Sequence, residues 1–101
     1  MANISSIGSS GLQAAQLRLD ASANNVANAN TPGYRRLSVA QQAVADSAGV
    51  RATVEREANE KGVALEQEAV EQMSATYAFK ANLQTIKTQD DMMGSLLNIK
   101  V

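Results

Sequence analysis

The single proline of the chain, Pro32, most constrains the fold, because a pattern typical of a helix runs up to it and cannot continue through it. Before it, small and apolar residues recur at spacings of three and four. Thr31 precedes the proline and is therefore displaced from helical backbone angles. Pro32 and Gly33 suit the central pair of a type II turn, in which glycine supplies a positive φ. The pattern predicts a helix over about residues 10–29, with a frayed beginning, and then a sharp turn.

A second helical pattern covers residues 65–98. Its apolar residues, among them Val70, Met73 and Leu83, stand mostly three, four or seven positions apart. Glutamates occupy its first turns and Lys100 follows its end, which is the charge order that a helix dipole favours. No proline interrupts the segment. It predicts a long helix.

Two helices at the two ends of a short chain predict a mainly α fold, an antiparallel two-helix hairpin whose terminal helices pair as a coiled coil. Residues 50–55 alternate apolar and polar side chains, as a short strand does. Residues 35–49 fit either helical turns or an extended segment. The predicted organisation is a first helix with its turn over 1–33, a short linker with room for β-structure over 34–62, and a second helix over 63–101.

The composition limits how large a core this chain can build. Eighteen residues are alanine, 27 are larger apolar residues, and there is one Phe and no Trp. A chain of this size buries only about 60–65% of the surface that it exposes when unfolded. Residues 1–33 carry only Arg18 and Asp20 as charges, so the first helix lacks the charged face of a solvated helix. We expect close backbone packing, or burial against partners.

Several function classes are disfavoured. The net charge of −1 argues against nucleic-acid binding. The absence of Cys and His removes thiol chemistry and the usual zinc ligands. No apolar run approaches the roughly 20 residues that span a bilayer, and the amino end lacks the basic and apolar regions of a Sec signal. The sequence therefore predicts no enzyme and no cofactor, metal or membrane-inserted segment.

A few polar residues stand out near the turn. Asn24, Asn25 and Asn28 fit a helix end rich in turn formers, or amides that bind neighbouring chains. Arg35 and Arg36 fit either a forked grip on a carboxylate of a partner or an ordinary solvated flank. These alternatives stay open on the residues alone.

The stretch SANNVANANTPGYRR, residues 22–36, closely resembles the amino-terminal signature of the bacterial flagellar rod and hook family, the axial proteins of the basal body. Residues 64–100 resemble the carboxy-terminal segment of the same family. Members usually carry a sizeable β-rich domain between the two segments. Only residues 35–61 lie between them here, so the chain resembles a short member without that central domain.

The resemblance implies a structural component of the rod or hook that self-assembles through its paired terminal helices. Its implied partners are other axial proteins, copies of itself and the flagellar export apparatus. The implied location is the basal body in the periplasmic rod region, reached without a cleaved Sec signal. The alternative is a small cytoplasmic adaptor or chaperone-like helical protein that binds rod or export components.

Two sets of residues are predicted to carry this function. The assembly motif comprises Asn24, Asn25, Asn28, Asn30, Thr31, Pro32, Gly33, Tyr34 and Arg35. The helix-pairing seam comprises Leu12, Leu19, Val26, Val70, Met73, Leu83, Ile86, Met93, Leu96 and Leu97. We expect the end of the second helix to lie beside the start of the first, and Gly94 to let the two backbones approach.

Overall fold

The computed structural model of the protein describes residues 4–45, 49–58 and 63–100. Helix α1 spans Ile4–Ala27, strand β1 spans Leu37–Ala43, strand β2 spans Val50–Arg56 and helix α2 spans Leu65–Lys100. The two helices pack antiparallel, and the strands form a two-stranded sheet between them in the chain. The predicted mainly α hairpin with a β-containing linker is therefore confirmed. The predicted boundary at residue 62 lies outside the described residues.

The first helix begins at Ile4, about six residues earlier than predicted. The prediction was wrong because Gly8 and Gly11, which lower helix propensity, were taken as a weak beginning. Both glycines instead face α2. A Cβ on Gly8 would stand 2.7 Å from Ile86 Cγ1, and one on Gly11 would overlap the side chain of Asn82. The close contact between the helices therefore favours glycine at both positions. This contact stabilises the first turns of α1 as a helix.

Gly94 does not play the predicted role. A Cβ added there would meet no atom within 4 Å. The close approach of the two backbones thus lies near the start of α1, at Gly8 and Gly11, and not near the end of α2.

Small and polar side chains form the interior between the helices. In α1 the buried or facing residues Gly8, Ala15 and Ser22 stand seven positions apart. In α2 Glu68 and Ala75, which are fully buried, have the same spacing. A seven-residue repeat is that of a coiled coil. The other buried side chains of the described residues are Ala14, Ala21 and Asn25.

The predicted seam is corrected by this arrangement. Leu12, Leu19 and Ile86 are half-buried. The other seven side chains are more than 40% exposed in the single chain: Val26, Val70, Met73, Leu83, Met93, Leu96 and Leu97. The prediction failed because the spacing of apolar residues identifies a helix face that avoids water. It does not identify which element or molecule packs against that face. Small residues let the helices of the hairpin approach each other, so the larger ones point elsewhere.

The register of the helices leaves the end of α2 without α1 beside it. Ser5 Oγ donates a hydrogen bond to Gln89 Oε1 at 2.6 Å, and Arg18 Nε binds Glu71 Oε1 at 2.6 Å. Because the helices are antiparallel, α2 after Asp90 extends past Ile4, where α1 begins. All side chains of residues 91–98 are exposed. We call residues 91–98 the C-terminal extension.

This register overturns the expected contact between the end of α2 and α1. Met93, Leu96 and Leu97 were predicted to lie near Leu12, Ile7 and Ile4. The first turns of α1 reach only the region of Ile86 and Gln89, because the register is set at the other end of the hairpin, where α2 starts opposite the last turns of α1.

The linker folds as a β-hairpin that packs on α1. Strands β1 and β2 are antiparallel, with Leu37 opposite Arg56 and Ala43 opposite Val50. The Val50 N–H donates to Ser10 Oγ at 3.0 Å, which ties the hairpin to α1. The segment that fitted either a helix or an extended chain is thus a strand over Leu37–Ala43, and the second strand agrees with the predicted residues 50–55.

Candidate functional site

The turn after α1 is closed by its own side chains. Asn28 Nδ2 donates to the carbonyl of Asn24 at 2.9 Å, and Thr31 Oγ1 donates to Asn28 Oδ1 at 3.1 Å. The Tyr34 N–H then donates to the Thr31 carbonyl at 3.3 Å, with Gly33 at a φ of 73°. This bond and the positive φ are those of the predicted type II turn. The turn directs the chain from α1 back towards β1.

Asn25 links three parts of the fold. Its side chain is 1% exposed. Oδ1 accepts hydrogen bonds from the Leu37 N–H at 2.8 Å and from the Tyr34 hydroxyl at 2.9 Å. Nδ2 donates to the Leu37 carbonyl at 2.9 Å and to Glu68 Oε1 at 3.0 Å. The amide therefore makes its full set of four hydrogen bonds within the chain, so of the two interpretations of the asparagines, Asn25 does not fit an amide free to bind a neighbouring chain.

Glu68 is the centre of the buried polar groups. Its side chain is 0% exposed. Oε2 accepts from Ser22 Oγ at 2.8 Å, and Oε1 accepts from Arg36 Nε at 2.6 Å as well as from Asn25. Burial of a carboxylate costs on the order of several kcal/mol unless the carboxylate is paired with a cation and hydrogen-bonded. We call Ser22, Asn25, Arg36 and Glu68 the polar cluster.

Arg36 carries the positive charge of the polar cluster. Its Nη1 also lies 3.1 Å from Glu57 Oε1, so it binds two carboxylates. Burial lowers the pKa of Arg36, but its hydrogen bonds to Glu68 and Glu57 and their negative charges outweigh burial and raise the pKa above its ordinary value. The guanidinium of Arg36 therefore stays charged.

The two adjacent arginines have different roles. Arg36 grips carboxylates of its own chain. Arg35 is exposed, and its carbonyl accepts a hydrogen bond from Arg56 Nη1 at 2.9 Å. The Arg56 guanidinium also lies over the Tyr34 ring, 5.5 Å from its centre. Neither interpretation of the arginine pair describes Arg36, whose carboxylate partners belong to its own chain, and the solvated flank applies to Arg35.

The predicted assembly motif therefore divides into two groups. Asn25, Asn28 and Tyr34 are at least half-buried and make the contacts described above. The other members are exposed at the surface of the turn: Asn24, Asn30, Thr31, Pro32, Gly33 and Arg35.

Large apolar side chains lie on the outer face of α2. Val70, Met73 and Tyr77 are 66–78% exposed. They stand about half a helical turn away from the positions of Glu68 and Ala75, which face α1. A groove between this face and α1 is lined by Leu19, Ala69, Gln72, Met73, Thr76, Tyr77 and Lys80. We call it the α2 groove.

Sequence reasoning missed Glu68 and Gly8 as residues of the helix contact. Glu68 was assigned to the charge pattern of a helix beginning. The signal that could have found it is its place seven residues before Ala75, in line with small residues and with Asn82. An acidic residue on such a face is buried and needs a cation as its partner. Arg36 is one of few arginines near the turn that could supply that cation.

Within the described ranges, no cluster of three or more His, Cys, Asp and Glu side chains could hold a metal ion. Neither helix of the described structure combines the length and apolar character that crossing a membrane requires.

Two family models match the chain, one at each helix. The flagella basal body rod protein family matches residues 6–35, which hold most of α1 and the turn. The flagellar basal body rod FlgEFG protein C-terminal family matches residues 59–99, which hold nearly all of α2. Between the two matches lies the β-hairpin. A comparison with curated proteins gave no match. Together the two matches cover most of α1, the turn and nearly all of α2. The chain therefore belongs to the flagellar basal-body rod and hook proteins, a structural family.

Proposed function

We propose that the chain is an axial subunit of the flagellar basal body and that it self-assembles through its paired terminal helices. Family membership supports a structural component of the basal body. One observation carries the finer proposal. Nine large apolar side chains of α2 are each more than half exposed in the single chain. Monomeric proteins seldom expose contiguous apolar surface on this scale, so the surface needs a protein partner.

The two faces of α2 differ in composition, and this difference supports assembly. The face towards α1 consists of small and polar residues, so the hairpin folds without burying the large apolar side chains of α2. Those side chains stay available for contacts with copies of the chain and with other axial proteins. The residues predicted to pair the helices, such as Met73 and Leu97, take this role between subunits.

The exposed residues of the turn are a second contact surface. Asn30, Thr31 and Arg35 stand at the surface where α1 ends, and a hydrogen bond from Thr31 to Asn28 holds the turn. Their amide, hydroxyl and guanidinium groups offer hydrogen bonds to a neighbouring subunit. Export through the flagellar export apparatus, without cleavage of a Sec signal, is the route that family membership supports.

The test is mass spectrometry of purified hook–basal bodies, combined with fractionation of the same cells. We expect the chain in the basal-body fraction at a fixed ratio to other axial proteins. A chain confined to the cytosol while flagella assemble would exclude the axial subunit and favour the adaptor or chaperone-like protein.

A further inference from the structure

The outer edge of strand β2 is unpaired along its middle. Val50 turns its N–H away from β1 and donates it to Ser10 Oγ. Because the direction of the backbone N–H and C=O groups alternates along a strand, Ala52 and Val54 also turn theirs away from β1. Nothing in the described part of the chain bonds these groups of Ala52 and Val54. An unpaired edge of this kind binds another strand through main-chain hydrogen bonds.

The exposed face of β2 carries two opposite charges that have no ionic partner in its own sheet. Arg51, Thr53 and Glu55 lie on this face and are exposed. Their neighbours across the sheet on β1 are uncharged, and the ion pairs within the described ranges involve other side chains. Arg51 and Glu55 stand two positions before and two positions after Thr53. The strand is therefore complementary in charge to an antiparallel copy of itself.

This complementarity selects one register for two β2 strands. When a two-fold axis passes through Thr53, Arg51 of each copy lies directly opposite Glu55 of the other. Ala52 of each copy then exchanges N–H and C=O hydrogen bonds with Val54 of the other, through the groups that β1 leaves free. Moving the axis to Ala52 or Val54 removes both pairs between Arg51 and Glu55. Strand β1 carries no charged residue, so its own outer edge offers no such selection.

The other face of β2 is complementary in shape in the same register. Val54 shares this face with Val50 and Ala52 but is 42% exposed. A groove beside the strand is lined, among others, by Ala14, Leu17, Val50 and Ala52. Because Val54 of the second copy lies opposite the small Ala52, its side chain enters this groove. The pairing therefore buries an exposed apolar side chain of each copy.

We propose that two copies of the chain form a dimer by antiparallel pairing of their β2 strands, with the two-fold axis at Thr53. The product is a four-stranded sheet in the order β1–β2–β2–β1. Each copy contributes the same edge, so the interface is isologous and closes at two subunits. The pairing leaves the outer face of α2 free, and it is therefore independent of assembly through the terminal helices.

Disulfide trapping tests the dimer directly, because the chain contains no cysteine. The test variant is Thr53→Cys. Residues opposite each other at such a non-hydrogen-bonded position have Cα atoms about 4.5 Å apart, which a disulfide can bridge. The matched control is Ala40→Cys, an exposed residue directly across the sheet from Thr53 on β1. In the proposed dimer its two copies are three strand spacings apart, about 14 Å.

The readout is the rate at which a covalent dimer forms under a mild oxidant on a non-reducing gel. We expect Thr53→Cys to form it at least tenfold faster than Ala40→Cys. Circular dichroism verifies that both variants keep the fold of the parent chain. Equal rates overturn the pairing and leave the edge of β2 to a strand of a different protein.

Charge reversal in the Thr53→Cys chain tests the register. Arg51→Glu and Glu55→Arg each place like charges opposite each other, so each should slow dimer formation several-fold at low ionic strength. The two changes shift the reactivity of the nearby thiol in opposite directions, and reaction with a small maleimide corrects for this shift. The double variant should recover the rate, because the pairs re-form with exchanged signs. Slowing that adds in the double variant overturns the register at Thr53.

Discussion

The two ends of α2 contrast sharply in what their inward faces contain. At the start of the helix, the residues that face α1 are the carboxylate of Glu68 and the small Ala75, both fully buried. At its end the same face carries Met93 and Leu96, both more than half exposed. Polar groups are thus buried where α2 packs on α1, and apolar groups are exposed where α2 extends past α1. The hairpin is therefore specified by hydrogen bonds and close packing, which leaves its apolar surface exposed for the proposed assembly.

The largest effect on folding is expected at Glu68. Glu68→Ala removes the acceptor of Ser22, Asn25 and Arg36 and leaves a buried guanidinium with only Glu57. Breaking a buried pair in this way costs about 3–5 kcal/mol. We expect that loss in the free energy of unfolding, measured by urea denaturation followed by circular dichroism.

The matched control is Glu66→Ala, two residues earlier on the exposed side of α2. An exposed substitution of this kind changes stability by about 0.5 kcal/mol or less. Equal losses in the two variants would show that the polar cluster does not specify the hairpin.

A smaller effect is expected where the helices approach most closely. Gly8→Ala places a Cβ 2.7 Å from Ile86 Cγ1, whereas Gly94→Ala meets nothing within 4 Å. Both changes gain the same helix propensity, about 1 kcal/mol. Overpacking at Gly8 costs about 1–3 kcal/mol, so the two variants should differ by that amount in thermal or urea denaturation, with Gly94→Ala the more stable. Identical stabilities would place the close approach elsewhere.

The apolar end of α2 is expected to have almost no effect on folding. Leu96→Ser and Leu97→Ser change side chains that are more than 60% exposed, so the unfolding free energy of the monomer should shift by about 0.5 kcal/mol or less. Assembly should weaken, because each leucine buried on assembly contributes about 1.5–3 kcal/mol. Sedimentation velocity compares the variants with the parent chain. A large loss of monomer stability would mean that this end packs within its own chain.

The sequence allowed a good prediction of the elements and a poor one of their contacts. Pro32 and Gly33 end α1 through local backbone restrictions, and the alternation over residues 50–55 marks β2, so both could be predicted. Gly8 could not be placed in a helix, because its role depends on Ile86, 78 positions away. Tertiary packing there overrides local propensity.

The candidate site was predicted in the right segment but with the wrong roles. The asparagines of the turn drew notice by composition, yet Asn25 is a buried link between α1, β1 and Glu68. Side-chain type alone does not tell an internal hydrogen bond from an external one. Apolar spacing had the same limit, since it marked Met73 and Leu97 as a contact face although both are exposed in the single chain.

The smallest effect is expected from a partly exposed ion pair between the two helices. Arg18 Nε lies 2.6 Å from Glu71 Oε1, and the two side chains are 16% and 34% exposed. A partly exposed ion pair contributes about 0.2–1 kcal/mol and is screened by salt. Arg18→Glu and Glu71→Arg should therefore each lower the free energy of unfolding by about 1 kcal/mol or less, while the double variant recovers most of the loss because the pair is re-formed with exchanged signs. Urea denaturation at two salt concentrations measures all three, and the differences should shrink at the higher one. Losses that add in the double variant would mean that this pair does not help to hold the two helices together.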